Sequence, residues 1–283
     1  MTSSIAVVTD SSATLPPDLV ARWGITVVPL QVMVDGHPRA EGVEISTADV
    51  LDALVAGRDV TTSQPAVATF ESTFRALEAQ GAAAIVAVLL SGRLSGTVQG
   101  ARQAADAVRI PVEVVDSGQV AMGAGFAALA AAHAARSGAS LDDAADAART
   151  VAASATCVFT VDTLEFLRRG GRLSPAAAAV GRMLQVRPVL EIVAGEVAVV
   201  DKVRSTARAR EAVLRRAGEA AEAMPGAACA VLTLGEGSYG DEAAQALPLG
   251  LPIVRTDVGA VLAVHAGPGA LAVVAAALPE GIL

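Results

Sequence analysis

Aromatic side chains are scarce in this sequence: Trp23, Tyr239 and five phenylalanines are all that its 283 residues provide. Flat rings therefore cannot fill the interior, and although 53% of the chain is hydrophobic, alanine and valine must do most of the packing. Basic residues are also in deficit. With 21 Lys and Arg against 29 Asp and Glu, the formal net charge is −8. No run of Lys and Arg builds a local exception, so a nucleic-acid partner is not expected. Cys157 and Cys229 are the two cysteines, each in an apolar stretch and without a second Cys or His at metal-ligand spacing. They read as reduced core residues, which excludes a disulfide framework and a zinc site as organising features. The opening residues lack a basic start followed by a long apolar stretch, because Asp10 interrupts the run, so no secretion signal is expected and the protein is placed in the cytoplasm. Val120–Ala135 is too short and too rich in Ala and Gly for a membrane span, and Ala260–Leu278 contains His265 and the helix-breaking Gly267-Pro268-Gly269. Both are expected inside a soluble protein.

The length suits two domains. Short β-branched runs predict strands over Ile5–Thr9, Ile25–Val34, Ala84–Leu90 and Val112–Asp116. Helical stretches lie between them: one capped by Ser46 or Thr47, and one from Pro65 to Gln80 with Val67, Phe70, Phe74 and Leu77 on one face. Two Ala-rich helices follow, Ala121–Arg136 and Leu141–Ala153, separated by a helix stop and a new cap. Strands then dominate: Thr156–Val161, Val189–Val193, Val197–Val203, Ala228–Leu234, Ile253–Thr256 and the run Ala270–Ala276. Ala194-Gly195-Glu196 between two Val-rich runs reads as a tight hairpin. The expected fold class is α/β with two domains, residues 1–155 and 156–283. The first carries a largely parallel sheet with helices on both faces, and the second a mixed sheet containing an antiparallel pair.

Polar clusters sit where predicted strands end, the usual place for ligands in open α/β sheets. They are Thr9-Asp10-Ser11-Ser12, Thr61-Thr62-Ser63-Gln64-Pro65 and Ser91-Gly92-Arg93-Leu94-Ser95-Gly96-Thr97. In the third, hydroxyls and a glycine immediately before a helix offer side-chain donors beside free backbone N–H groups, an anion cradle. The alternative is that these residues only cap helices and form turns. A fourth cluster, Val264-His265-Ala266-Gly267-Pro268-Gly269, could hold a histidine at a helix end, where it would donate to a carboxylate or serve a structural role.

Taken in order, these clusters resemble the DegV family of bacterial lipid-binding proteins. The resemblance rests on Thr9-Asp10-Ser11-Ser12 followed by Leu15-Pro16, on Thr62 to Pro65, on Leu94 to Thr97 and on Asp116-Ser117. It continues through Leu164 to Ser174, Lys202-Val203-Arg204 and His265 to Gly269, so that it spans nearly the whole chain. It implies that a long-chain fatty acid places its carboxylate on Thr62 and Ser95 with His265 nearby, and its acyl chain in a tunnel between the domains. Thr97 and Ser63 are second-rank contacts. The resemblance also implies a carrier that presents the acid to a separate fatty acid kinase, with Arg172, Lys202 and Arg204 tied to the acyl-phosphate or to docking on that kinase. No cofactor is expected. Uncharged hydroxyl donors suit this task, because they hold a carboxylate without the desolvation cost of burying a cation beside it.

The rival is a serine hydrolase using Ser95, His265 and Asp10. Its Gly-x-Ser-x-Gly elbow is missing, since Gly92 stands three residues before Ser95. The string Gly123-Ala124-Gly125-Phe126-Ala127-Ala128 mimics a dinucleotide fingerprint, but the acidic residues about twenty positions on fall at a helix start and not at a strand end. Close helix packing explains those glycines better.

Overall fold

Residues 4–173, 186–234 and 239–283 are described by the computed structural model. Strand β1 (Ile5–Asp10) runs into a 3-10 turn over Ser11–Ala13, and Pro17 opens α1 (Pro17–Trp23) from its first position, where its missing N–H costs nothing. The single strand expected over Ile25–Val34 is instead two, β2 (Thr26–Val28) and β3 (Gln31–Val34), which belong to different sheets. Pro29 between them has no N–H for a ladder and turns the chain out of the first sheet. Next come β4 (His37–Ala40), α2 (Thr47–Val55) and β5 (Val60–Ser63); Ser46 and Asp49 form a reciprocal capping box at the start of α2. Then follow α3 (Val67–Ala79), β6 (Ala84–Leu89), α4 (Thr97–Ala105), β7 (Val112–Asp116), α5 (Met122–Arg136) and α6 (Leu141–Ser154).

In the remainder, β8 (Thr156–Thr160) leads to α7 (Glu165–Arg169), β9 (Arg187–Val193), β10 (Glu196–Val203), α8 (Thr206–Glu222) and β11 (Ala227–Thr233). The chain ends with α9 (Tyr239–Gln245), β12 (Ile253–Asp257), α10 (Ala260–Ala266) and β13 (Leu271–Ala277). The fold class is α/β. Four strands in the order β2-β1-β6-β7 form an all-parallel sheet, and six in the order β10-β9-β8-β13-β11-β12 form a mixed sheet in which only β11 and β12 run parallel. Ala194 and Gly195 both have positive φ, +50° and +82°, which closes the β9–β10 hairpin as a tight two-residue turn.

Helix α5 is buried continuously from Met122 to Ala132. It touches both β1 and β13, so it lies between the two large sheets and has no solvent face to make polar. Its small residues are what allow the approach: a Cβ on Gly125 would stand 2.7 Å from the carbonyl oxygen of Ala13. One apolar core accordingly joins Val7, Val86 and Phe126 to Leu190, Leu232 and Val274.

A third sheet, antiparallel in the order β4-β3-β5, was not foreseen. Its residues Val32 and Val34 pack with Val50 of α2 and with Ala260, Val261 and Val264 of α10. Helix α10 belongs to the late part of the chain but is bedded on this early sheet, and that contact is what brings the two ends of the sequence to one site.

Candidate functional site

Thr62 sits on β5, opposite Val32 of β3. Its hydroxyl oxygen lies 2.8 Å from Nε2 of His265, which occupies the last turn of α10. Burial pushes the His265 imidazole down to about 4, with the positive charge of Arg172 adding to the effect, so the ring is neutral at neutral pH. Its other nitrogen, Nδ1, is buried and has no hydrogen-bond partner among the described residues. A buried N–H without an acceptor costs more than a lone pair without a donor, so we assign the proton to Nε2. Nε2–H then donates to Thr62 Oγ1, which leaves the threonine's own O–H free to donate elsewhere.

Two glycines make this placement possible. A Cβ on Gly170, just after α7, would collide with Nδ1 of His265, and one on Gly267 would collide with the ring of Phe166. Gly170 has ordinary helical torsions, so its lack of a side chain serves the close approach and not the backbone.

Ser95 precedes α4, whose cap residue Gly96 offers no side chain to the helix's free N–H groups. Ser95 Oγ is 2.9 Å from Thr97 Oγ1 and accepts a long bond from the Thr97 amide. Thr97 itself is fully buried, so it steadies Ser95 from behind. Gln64, at the end of the β5 segment, covers Gly96 closely enough that a Cβ there would strike its side-chain oxygen. From the other side the β9–β10 hairpin docks on the same loop: Ser91 Oγ donates to the Gly195 carbonyl at 2.7 Å, and Arg93 pairs with Glu196 at 2.6 Å.

Thr62, Ser63, Ser95, Arg172 and His265 all line one cavity of about 110 Å³. The rest of the lining is mostly apolar and comes from both halves of the chain, Leu30, Leu90 and Val120 from the first, Phe159, Ile192 and Leu232 from the second. The half-buried Arg172 donates through Nε to the Leu94 carbonyl (3.1 Å) and through Nη1 to the Gly170 carbonyl (2.5 Å). A guanidinium thus shares the cavity lining with the hydroxyls. Lys202 and Arg204 are exposed at the far end of β10 from the hairpin turn, and neither lines the cavity. Ser174, the last residue of the run from Leu164, lies outside the described residues.

The hydrolase constellation is not assembled. His265 bonds Thr62 and not Ser95, and Asp10 is fully buried elsewhere, accepting from Ser12 and from the Leu90 amide at 2.8 Å. Among the described residues no group of three or more His, Cys, Asp or Glu could hold a metal ion, and no helix is long and apolar enough to cross a membrane.

An apolar cavity lined also by hydroxyls, a neutral imidazole and one guanidinium is chemically suited to a largely apolar molecule that carries an anionic group. Comparison with known proteins agrees in fold and family. A family model described as "Uncharacterised protein, DegV family" matches residues 4–278, and the chain belongs to that family. It is 41% identical over 285 residues to a DegV domain-containing protein of Streptomyces coelicolor, covering 97% of this chain and 99% of that one. Among solved structures it is similar to a DegV family protein of Thermus thermophilus described by its fatty acid binding, with TM-score 0.89, 33% identity and coverage of 97% and 100%. It is also similar to DegV of Bacillus subtilis, described as a fatty acid binding protein, with TM-score 0.87, 28% identity and coverage of 96% and 99%.

Nothing in the sequence marks Gly170 or Gln64 individually, or the close approach of Gln64 to Gly96. These residues stand in the motifs above, but what each touches lies elsewhere in the chain, and spacing alone carries no such signal.

Proposed function

We propose that this protein binds a long-chain fatty acid, with the carboxylate at Thr62 and Ser95 and the acyl chain in the apolar cavity. The observation that carries the reading is the Thr62–His265 pair, which lines that apolar cavity together with Ser95 and Arg172. Neutral His265 orients the threonine hydroxyl, Ser95 adds a second donor beside the free amides of α4, and Arg172 supplies the positive charge. Thr97 supports Ser95, and Ser63 is exposed at the rim. The tail dominates affinity: at about 0.8 kcal/mol per buried methylene, some ~14 methylenes contribute on the order of 10 kcal/mol before ordering costs. Fatty acid binding by the Thermus and Bacillus relatives supports the same reading.

In this reading the protein is a cytoplasmic carrier without a cofactor. Residues 1–155 supply most of the head-group loops, and residues 156–283 close the cavity. It presents the acid to a partner fatty acid kinase; Arg172 reaches the acyl-phosphate, and the exposed Lys202 and Arg204 meet the kinase. Titration of delipidated protein with palmitate and with hexadecanol tests the core of the proposal. Saturable palmitate binding, at least about tenfold tighter than the alcohol, is expected from the value of hydrogen bonds to a charged group. No saturable binding of palmitate would overturn it.

A further inference from the structure

Helix α10 carries His265 in its last turn, and its first turn is held from the other end of the sequence. The Val261 amide, four residues and about 6 Å along the helix from His265, donates to Glu41 Oε1 at 2.8 Å. The other oxygen of Glu41 accepts from Ser11 Oγ, and Ser11 Oγ in turn accepts from the Leu30 amide at 2.9 Å. Glu41 is only 7% exposed, and the turn before α10 is shaped around it: a Cβ on Gly259, at φ +86°, would stand 3.0 Å from its Oε1. A second tie runs through Asp257, whose Oδ1 accepts from Thr47 Oγ1 at 2.6 Å and from the Gly259 amide at 2.7 Å.

We infer that Glu41 is a positioning residue for the carboxylate site: by capping α10 from across the molecule, it fixes where His265 meets Thr62. This rests on the fatty acid reading above for its effect on affinity, but not for its effect on His265. Burial raises the Glu41 carboxyl above its ordinary value and nearby Asp10 pushes the same way, while Ser11 and the Val261 and Ala260 amides pull it down. A carboxyl kept in so costly a place has to have its hydrogen bonds in register, and these bonds lead to α10.

The test uses the His265 imidazole as reporter, since only three histidines contribute signals. In ¹H–¹⁵N spectra of the unliganded protein, Glu41→Ala should move the His265 resonances and raise the pH at which they titrate, and palmitate affinity should fall about tenfold. Val213→Ala, in a separate cluster against α8, serves as a control for general loosening and should leave those resonances in place. Should Glu41→Ala not fold, Ser11→Ala decides, with a smaller shift in the same direction. Unmoved His265 resonances in the folded variant, or an equal shift in Val213→Ala, overturn the inference. A parent protein that ignores palmitate sinks the fatty acid reading alone, because the His265 signals still answer the question about Glu41.

Discussion

Replacing Thr62 with valine removes one hydroxyl while keeping the branched shape that suits β5. In the unliganded protein the change strips His265 Nε2 of its partner at 2.8 Å, and since Nδ1 has none among the described residues, the ring loses the one hydrogen bond it makes with them. Leaving a buried donor unsatisfied costs about 1–3 kcal/mol, and that loss should appear in thermal unfolding. With ligand bound, the hydroxyl also donates to a carboxylate, and a hydrogen bond to a charged group contributes about 1.5–3 kcal/mol, so palmitate affinity should fall about 10- to 150-fold. The loss belongs to the head group. Across acids of C12, C14 and C16, the increment should stay near 0.8 kcal/mol per methylene in parent and variant alike. Competition against a fluorescent fatty acid measures both quantities. An affinity within about threefold of the parent, or a changed chain-length increment, would refute a carboxylate held by Thr62.

Gly170→Ala is compatible with the local backbone but drives a methyl group into His265 Nδ1; overpacking of this kind costs about 1–3 kcal/mol, and palmitate binding should weaken at least tenfold while the circular dichroism spectrum stays that of the parent. Unchanged binding would mean His265 has room to spare. Since the folded His265 titrates at about 4 against an ordinary 6.5, the unfolded chain takes up its proton first, so this residue's contribution to stability is complete above pH 6.5 and is lost as the pH falls toward 4. The effect is on the order of 3 kcal/mol and is read as the difference in urea stability between parent and His265→Gln, because buried Asp10 and Glu41, both raised, pull the other way in acid. An NMR titration of His265 near 6.5 would contradict it.

The parallel strands and the helices between the sheets were legible because burial on both faces leaves a simple mark: β6 is apolar at every position, and α5 is apolar all round. The β9–β10 hairpin was legible from its turn residues. The three-stranded sheet was not, since β4 and β5 are short and polar, and β3 was fused to β2 across a proline whose effect depends on which strand needs an N–H. At the site, Thr62, Ser95 and His265 line one cavity, and the sequence linked them only through the family resemblance; Arg172, which the resemblance ties to the acyl-phosphate or the kinase, lines the same cavity. Periodicity could not have placed it there, because its position depends on backbone carbonyls of Leu94 and Gly170 that only the folded chain brings together. Glu41 was silent for the same reason: its partner amide is Val261.

Native mass spectrometry of protein purified without added lipid bears most directly on whether the cavity holds a fatty acid. The expected result is a co-purified mass of one C14 to C18 acid per chain, lost in a Thr62→Ala, Ser95→Ala double variant that retains the parent's fold. An empty parent that takes up no fatty acid when one is supplied would contradict it.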